Sequence, residues 1–362
     1  MNHYDLLCKL TNKELELSKK NPHTTQFFCD IKDILNCSRE DCSSVKGYKY
    51  KREFNDSPLN ESNISNLDLD NLYYQKEIKE VLDKDSKSAK YQPRRQRPST
   101  VIHWGQLKLF LSTLQFLLYF APRSEKVHVI YPGSASGYNI EILTKMFPQC
   151  YWYLIDPNPF YEKLKSNPKI VEIKNEYFTD ELAEYYKNLL KDKYVLFISD
   201  IRTEPTEEEI FKNNNWQKKW VQIINPEYSQ LKFRIPRIGE NYVYLEGNIY
   251  LQMYPPLAST ETRLVVKKNA KEIKYNLESY ENKLYYHNRV LRACVYPNNI
   301  KIKGLDNCYD CSAFVGLITK YKYKYRKIEK RKIKKIIKHI IYNLFSINKL
   351  EKETMNICKN LN

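Results

Sequence analysis

From about residue 91 to residue 318, short apolar runs alternate with stretches whose apolar positions recur at helical spacing, the pattern of an α/β protein. HWGQLKLFLSTLQFLLYF (103–120) has that spacing and no Gly or Pro after its first turn, so it predicts a helix. VHVIYPG (127–133) closes on Gly and predicts a strand. SASGYNIEILTKMF turns into a second helix that Pro148 stops. YWYLID (151–156), KIVEIKNEYF (169–178) and YVLFISD (194–200) predict three more strands, the last apolar enough for the middle of a parallel sheet. Thr206 and Glu209 match a capping box, ahead of a helix reaching about Asn225. LKFRIP, NIYLQMY and TRLVVKK then follow as closely spaced strands. The expected fold is α/β: a mostly parallel central sheet with an antiparallel edge and helices on both faces.

The flanks break this rhythm. Residues 1–90 are polar and rich in Asn and Ser, and read as a partly ordered N-terminal extension. A basic hinge, Pro93-Arg94-Arg95-Gln96-Arg97-Pro98, leads into the core at 91–318. Residues 319–362 form a basic C-terminal helical segment, with eleven Lys or Arg and one Glu between 320 and 338. As a helix it would carry one apolar stripe and a cationic face. That face suits an RNA-backbone or protein contact, a solvated surface, or a membrane-surface helix.

Composition narrows the partners. With 60 Lys and Arg against 43 Asp and Glu, the 362 residues carry a formal charge of +17, which favours a polyanion such as RNA or DNA. Thirty-one Tyr offer stacking faces that suit single-stranded RNA. No apolar run reaches the ~18 residues of a membrane span, and the N-terminus lacks a signal-peptide layout. Nine scattered Cys read as free thiols of a reducing compartment. Cys308-x-x-Cys311 has no second pair, so no metal site is expected.

In an open α/β sheet, ligands bind beyond the carboxyl ends of the strands, where strand order reverses. Here the first core strand ends in Tyr131-Pro132-Gly133-Ser134-Ala135-Ser136-Gly137 and the second in Asp156. The glycines permit a sharp turn against a flat ligand, and a carboxylate at the end of the second strand can accept ribose hydroxyls. Pyrophosphate fingerprints of the G-x-G-x-x-G and Walker A types are absent, so a nucleoside-like cofactor without phosphates fits best.

Six blocks occur in order: Gly105-Gln106-Leu107-Lys108-Leu109, Gly133 to Gly137, Leu154-Ile155-Asp156, Ile198-Ser199-Asp200-Ile201-Arg202, Leu231-Lys232-Phe233-Arg234, and Glu261-Thr262-Arg263-Leu264. Over roughly residues 91–300 the chain thereby resembles the poxvirus poly(A) polymerase small (regulatory) subunit family. Members of that family are also cap-specific mRNA (nucleoside-2′-O-)-methyltransferases. The resemblance implies a class I, Rossmann-like methyltransferase fold, S-adenosyl-L-methionine as cofactor, and capped mRNA as substrate. It also implies a poly(A) polymerase catalytic subunit as a possible partner, and the cytoplasm of a cell infected by a large DNA virus as the setting.

The family's Lys-Asp-Lys-Glu tetrad falls on Lys108, Asp200, Lys232 and Glu261. A ribose hydroxyl needs a base, and a lysine serves only if its pKa falls well below the usual ~10.4. A second ammonium, the cofactor's sulfonium and desolvation push in that direction, whereas Asp200 and Glu261 push the other way. Lys232 is the expected base, with Lys108 anchoring the hydroxyl and the two carboxylates orienting the amines. The resemblance further implies cofactor contacts from Gln106, Tyr131, Gly133, Gly137, Asp156 and Asp200. Asn158 stands where the family has an arginine. For the cap guanine it implies Tyr280 and Glu281, with Tyr91 as a further ring from upstream. Arg237 and Ala258 replace aromatic residues of the family.

Overall fold

The computed structural model describes Gln75, Tyr296 and residues 77–91, 104–255, 259–289, 291–293, 309–325 and 330–344. The basic hinge at 93–98, Ala258 and the side chain of Gln106 lie outside the described residues.

The first core helix is α1 (Trp104–Phe120), followed by β2 (Val127–Pro132), α2 (Tyr138–Met146), β3 (Cys150–Ile155) and β4 (Ile170–Lys174). Next come α3 (Asp180–Leu189), β5 (Tyr194–Ser199), α4 (Glu207–Ile224) and β6 (Tyr228–Phe233). A short strand ahead of α1, β1 (Val81–Leu82), completes an eight-stranded sheet with β8 (Asn248–Tyr250) and β9 (Thr262–Lys267), in the order β1-β8-β9-β6-β5-β2-β3-β4. The five strands from β4 to β6 run parallel, while β9, β8 and β1 form an antiparallel edge. The expected mixed α/β sheet is what the chain builds.

Alternation along each strand sends one row of side chains to each face. Val127, Val129, Trp152 and Leu154 pack under α1 and α2, whereas Ile130, Ile155 and Phe197 pack under α3 and α4. Thr206 caps α4 by accepting from the Glu209 N–H at 3.3 Å. The Glu209 carboxylate turns to the Thr203 hydroxyl, which fixes the loop entering the helix.

Several elements escape the sequence pattern. β7 (Asn241–Leu245) and β10 (Glu272–Asn276) make a separate two-stranded sheet, and α5 (Leu277–Arg289) follows it. The polar zone before residue 91 contributes β1, whose Val81 and Leu82 pair with Tyr250 and Ile249. Helix α6 (Tyr309–Tyr325) runs through residue 318, and α7 (Lys330–Leu344) follows. Ile333, Ile337, Ile340 and Leu344 are at most 2% exposed and belong to the core under α1. That stripe is therefore spent inside the protein and is not free to lie on a membrane surface. No helix among the described residues is long and apolar enough to cross a membrane.

Candidate active site

Strand order reverses between β2 and β5, so their carboxyl ends diverge and open a crevice. Beyond β2 the chain turns at Gly133 with φ +77°. A Cβ there would lie 2.8 Å from the Asp200 carbonyl carbon and 2.9 Å from the Ile201 nitrogen, so the turn can press against the end of β5 only as glycine. Gly137, also at φ +77°, starts α2.

Asp156 follows β3 and is 7% exposed. Its Oδ2 accepts from the Ala135 N–H at 3.1 Å, and its Oδ1 accepts the backbone and side-chain amides of Asn158, each at 2.9 Å. The carboxylate thus ties the glycine turn to β3, and one lone-pair direction on Oδ2 stays open. A cleft of about 770 Å³ opens here, lined by Gly133, Asp156, Phe178, Asp200, Arg202 and Trp220 among others. Tyr131 is not on its wall. The ring is 2% exposed beneath the turn, where burial and then the Asp200 charge push its hydroxyl pKa up.

At the neighbouring strand ends, Lys108 from α1, Asp200 after β5, Lys232 on β6 and Glu261 before β9 come together. Lys108 Nζ donates to Glu261 Oε1 at 3.0 Å. Lys232 Nζ lies 3.4 Å from Asp200 Oδ1 and 3.8 Å from Glu261 Oε2. A fifth side chain joins them. Arg263, 3% exposed and paired in register with Lys232, donates from Nη2 to Asp200 Oδ1 at 2.7 Å and from Nη1 to Glu261 Oε1 at 3.4 Å. Burial alone would raise the Glu261 pKa, but Lys108, Lys232 and Arg263 outweigh it and hold the carboxyl well below its ordinary range. Burial would lower the Arg263 pKa, and Asp200 with Glu261 reverses that. Asp200 is thus shared between Lys232 and Arg263, and Glu261 among Lys108, Lys232 and Arg263.

Sequence reading passed over Arg263 inside a matched block. Its signal was a lone cation in the apolar run of β9, two residues from Glu261 and hence on the same strand face.

The proposed cap residues are placed unequally. Glu281 accepts from Arg237 Nε at 2.8 Å and Nη2 at 2.7 Å, and the same guanidinium sits 5.1 Å from the Tyr91 ring centre. Tyr91 is anchored by its N–H to Asn282 Oδ1 at 2.8 Å. Tyr280, by contrast, is 4% exposed and donates to the Thr260 carbonyl at 2.6 Å. Adjacent residues of a helix point about 100° apart, so Tyr280 turns into the core when Glu281 faces Arg237. The ring set against the guanidinium that pairs with Glu281 is Tyr91.

The family model of the poly A polymerase regulatory subunit matches residues 28–358. The chain belongs to that family. Among curated relatives, the cap-specific mRNA (nucleoside-2′-O-)-methyltransferase of Myxoma virus (strain Lausanne) is 30% identical over 236 residues, 58% of this chain and 68% of that protein. The protein of the same name from Fowlpox virus (strain NVSL) is 30% identical over 228 residues, 54% of this chain and 71% of its own length. Among solved structures, bluetongue virus VP4, described as a multifunctional RNA-capping production line, gives a TM-score of 0.41 at 15% identity. That match covers 72% of this chain and 48% of VP4.

Proposed function

We propose that this family member methylates the ribose 2′-hydroxyl of the first transcribed nucleotide of capped mRNA, with S-adenosyl-L-methionine as donor and Lys232 as base. The observation that carries the reading is the meeting of Lys108, Asp200, Lys232 and Glu261 beside the Gly133–Asp156 cleft. The names of the Myxoma and Fowlpox relatives support it.

The chain's residues fit such a donor. Gly133 and Asp156 line the cleft, and Asp156 keeps an acceptor for a ribose hydroxyl at the rim. When bound, the cofactor supplies an electrophilic methyl group on a sulfonium. Lys108 holds the target hydroxyl while Lys232 takes its proton. Asp200 and Glu261 fix the two amines, and Arg263 shares the carboxylates so that neither neutralises Lys232 alone. Alignment of oxygen with the methyl carbon supplies most of the remaining barrier reduction. Family membership also supports a poly(A) polymerase catalytic subunit as a partner.

Lys232→Arg tests the base. Guanidinium keeps the charge but holds its proton beyond pH ~12, so transfer should stop while cofactor and RNA still bind. Single-turnover methyl transfer to capped transcripts at near-wild-type rates would remove Lys232 from that role.

A further inference from the structure

Two residues past Asp200, the loop into α4 carries Arg202, which has no part in the tetrad. Its backbone position is fixed on both sides. The Asp200 N–H donates to the Pro132 carbonyl at 3.1 Å, and the Thr203 N–H donates to Asn213 Oδ1 at 3.0 Å. The side chain lines the cleft. Nη1 is buried without a hydrogen-bond partner, and Arg202 makes no ion pair among the described residues. A buried guanidinium N–H left unpaired is costly, and a loop this well fixed could have pointed it to solvent.

A second guanidinium lies close by. Arg234, two residues past Lys232, pairs with Glu207 through Nη2, yet its Nε is also buried without a partner. Arg202 lies within electrostatic range of the Glu261 and Asp200 carboxylates and of the Arg234 and Arg263 guanidiniums. Among the described residues, Lys108, Lys232, Arg234 and Arg263 are each ion-paired to Asp200, Glu261 or Glu207, whereas Arg202 is the basic residue of the cleft wall left without a pair, on a wall that also carries Asp156, Glu176, Asp180, Glu181 and Glu204. Buried guanidinium N–H groups without a protein acceptor call for one from a ligand, and the planar fork suits phosphate.

We infer that Arg202 holds an RNA backbone phosphate adjoining the ribose presented to Lys232. The inference rests on the methyl-transfer reading, because in any RNA strand the anion nearest a 2′-hydroxyl is the phosphate on the neighbouring 3′-oxygen. The competing oxyanion in the same cleft is the carboxylate of the cofactor.

Fluorescence-anisotropy titration of a capped oligoribonucleotide over a salt series, with Arg202→Gln and Arg202→Lys in the full chain, separates the two. Arg202→Gln should weaken RNA binding roughly tenfold or more, the loss of a charge-assisted hydrogen bond. It should also reduce the slope of log K against log salt by about 0.7, as for one phosphate on a single strand. Calorimetric affinity for S-adenosylmethionine should stay at the wild-type value. Arg202→Lys should regain the slope but only part of the affinity, since an ammonium lacks the fork. Thermal unfolding of neither variant should fall below the wild type, because the native residue makes no internal bond. Wild-type RNA affinity and slope in Arg202→Gln would overturn the inference. So would a loss of cofactor affinity with RNA binding intact, which would assign the oxyanion to the cofactor. An Arg202-dependent slope in a wild type that transfers no methyl group would instead overturn the catalytic reading, and with it the placement beside an acceptor ribose.

Discussion

Glu261→Gln keeps the shape of the side chain and deletes its charge, leaving Lys108, Lys232 and Arg263 with Asp200 alone. In the native cluster Glu261 meets Lys108 at 3.0 Å, Arg263 at 3.4 Å and Lys232 at 3.8 Å. Removing one partner of a buried ion pair costs about 3–5 kcal/mol. Both lysines keep some contact with water, their side chains being 16% and 14% exposed. The lower end, about 3 kcal/mol, is therefore expected near neutral pH. Acid should narrow the difference. The Glu261 carboxyl is held well below 4.5, so its contribution is present above the unfolded value and is lost as pH falls through the folded one. Within that window the folded wild type binds fewer protons than the unfolded chain. Its advantage over the variant should shrink by up to about 1.4 kcal/mol per pH unit. Urea unfolding of both proteins, from neutral pH down to about pH 3, measures the gap directly. A gap below about 1 kcal/mol at neutral pH, or one that does not change with acid, would refute the reasoning.

Asp156→Ala removes three hydrogen bonds, one to the glycine turn at Ala135 and two to Asn158, so calorimetric affinity for S-adenosylmethionine and Tm should fall together; unchanged affinity would take the cofactor out of this cleft. Arg237→Phe frees Glu281 and gives Tyr91 a facing ring, so binding of N7-methylguanosine triphosphate should tighten in a fluorescence titration. Unchanged affinity there would move the cap elsewhere. Truncation before residue 320 should leave no folded protein by circular dichroism, since it strips Tyr321, Ile333, Ile337 and Ile340 from the core. Lys334→Gln combined with Lys335→Gln touches only exposed positions of α7. It should flatten the salt slope of RNA binding by about 1.4 if that face contacts two phosphates. A wild-type slope would mean that α7 faces something else.

Much of the central sheet was legible because β2, β3 and β5 are nearly continuous apolar runs closed by Gly, Pro or Asp. β7 and β10 were not, since each buries only part of a polar run against its partner. α3 was passed over for a similar reason: only Ala183 and Tyr186 of its ten residues are buried. β1 is two residues long and gains its meaning only from β8 across the sheet edge. At the site, matched blocks led to the tetrad, whose members lie up to 153 positions apart in the chain. Arg263 stayed hidden because its partners come from β5 and the start of β9, and only the β6–β9 register sets it beside Lys232. Tyr280 looked like a ligand-facing ring by its neighbour Glu281. The helix of α5 sends the two side chains in different directions.

The contact between Gly133 and the backbone of Asp200 and Ile201 bears on what can be exchanged between relatives. Backbone atoms cannot be trimmed by substitution, so a larger residue at 133 has no compensating side-chain change on the β5 side. The turn that would cradle the cofactor and the strand end that carries Asp200 thus form a single inheritable piece. A chimera that imports residues 133–137 from a distant relative should work only when it imports the segment around Asp200 as well, whereas swaps on the α3 surface should be indifferent to it.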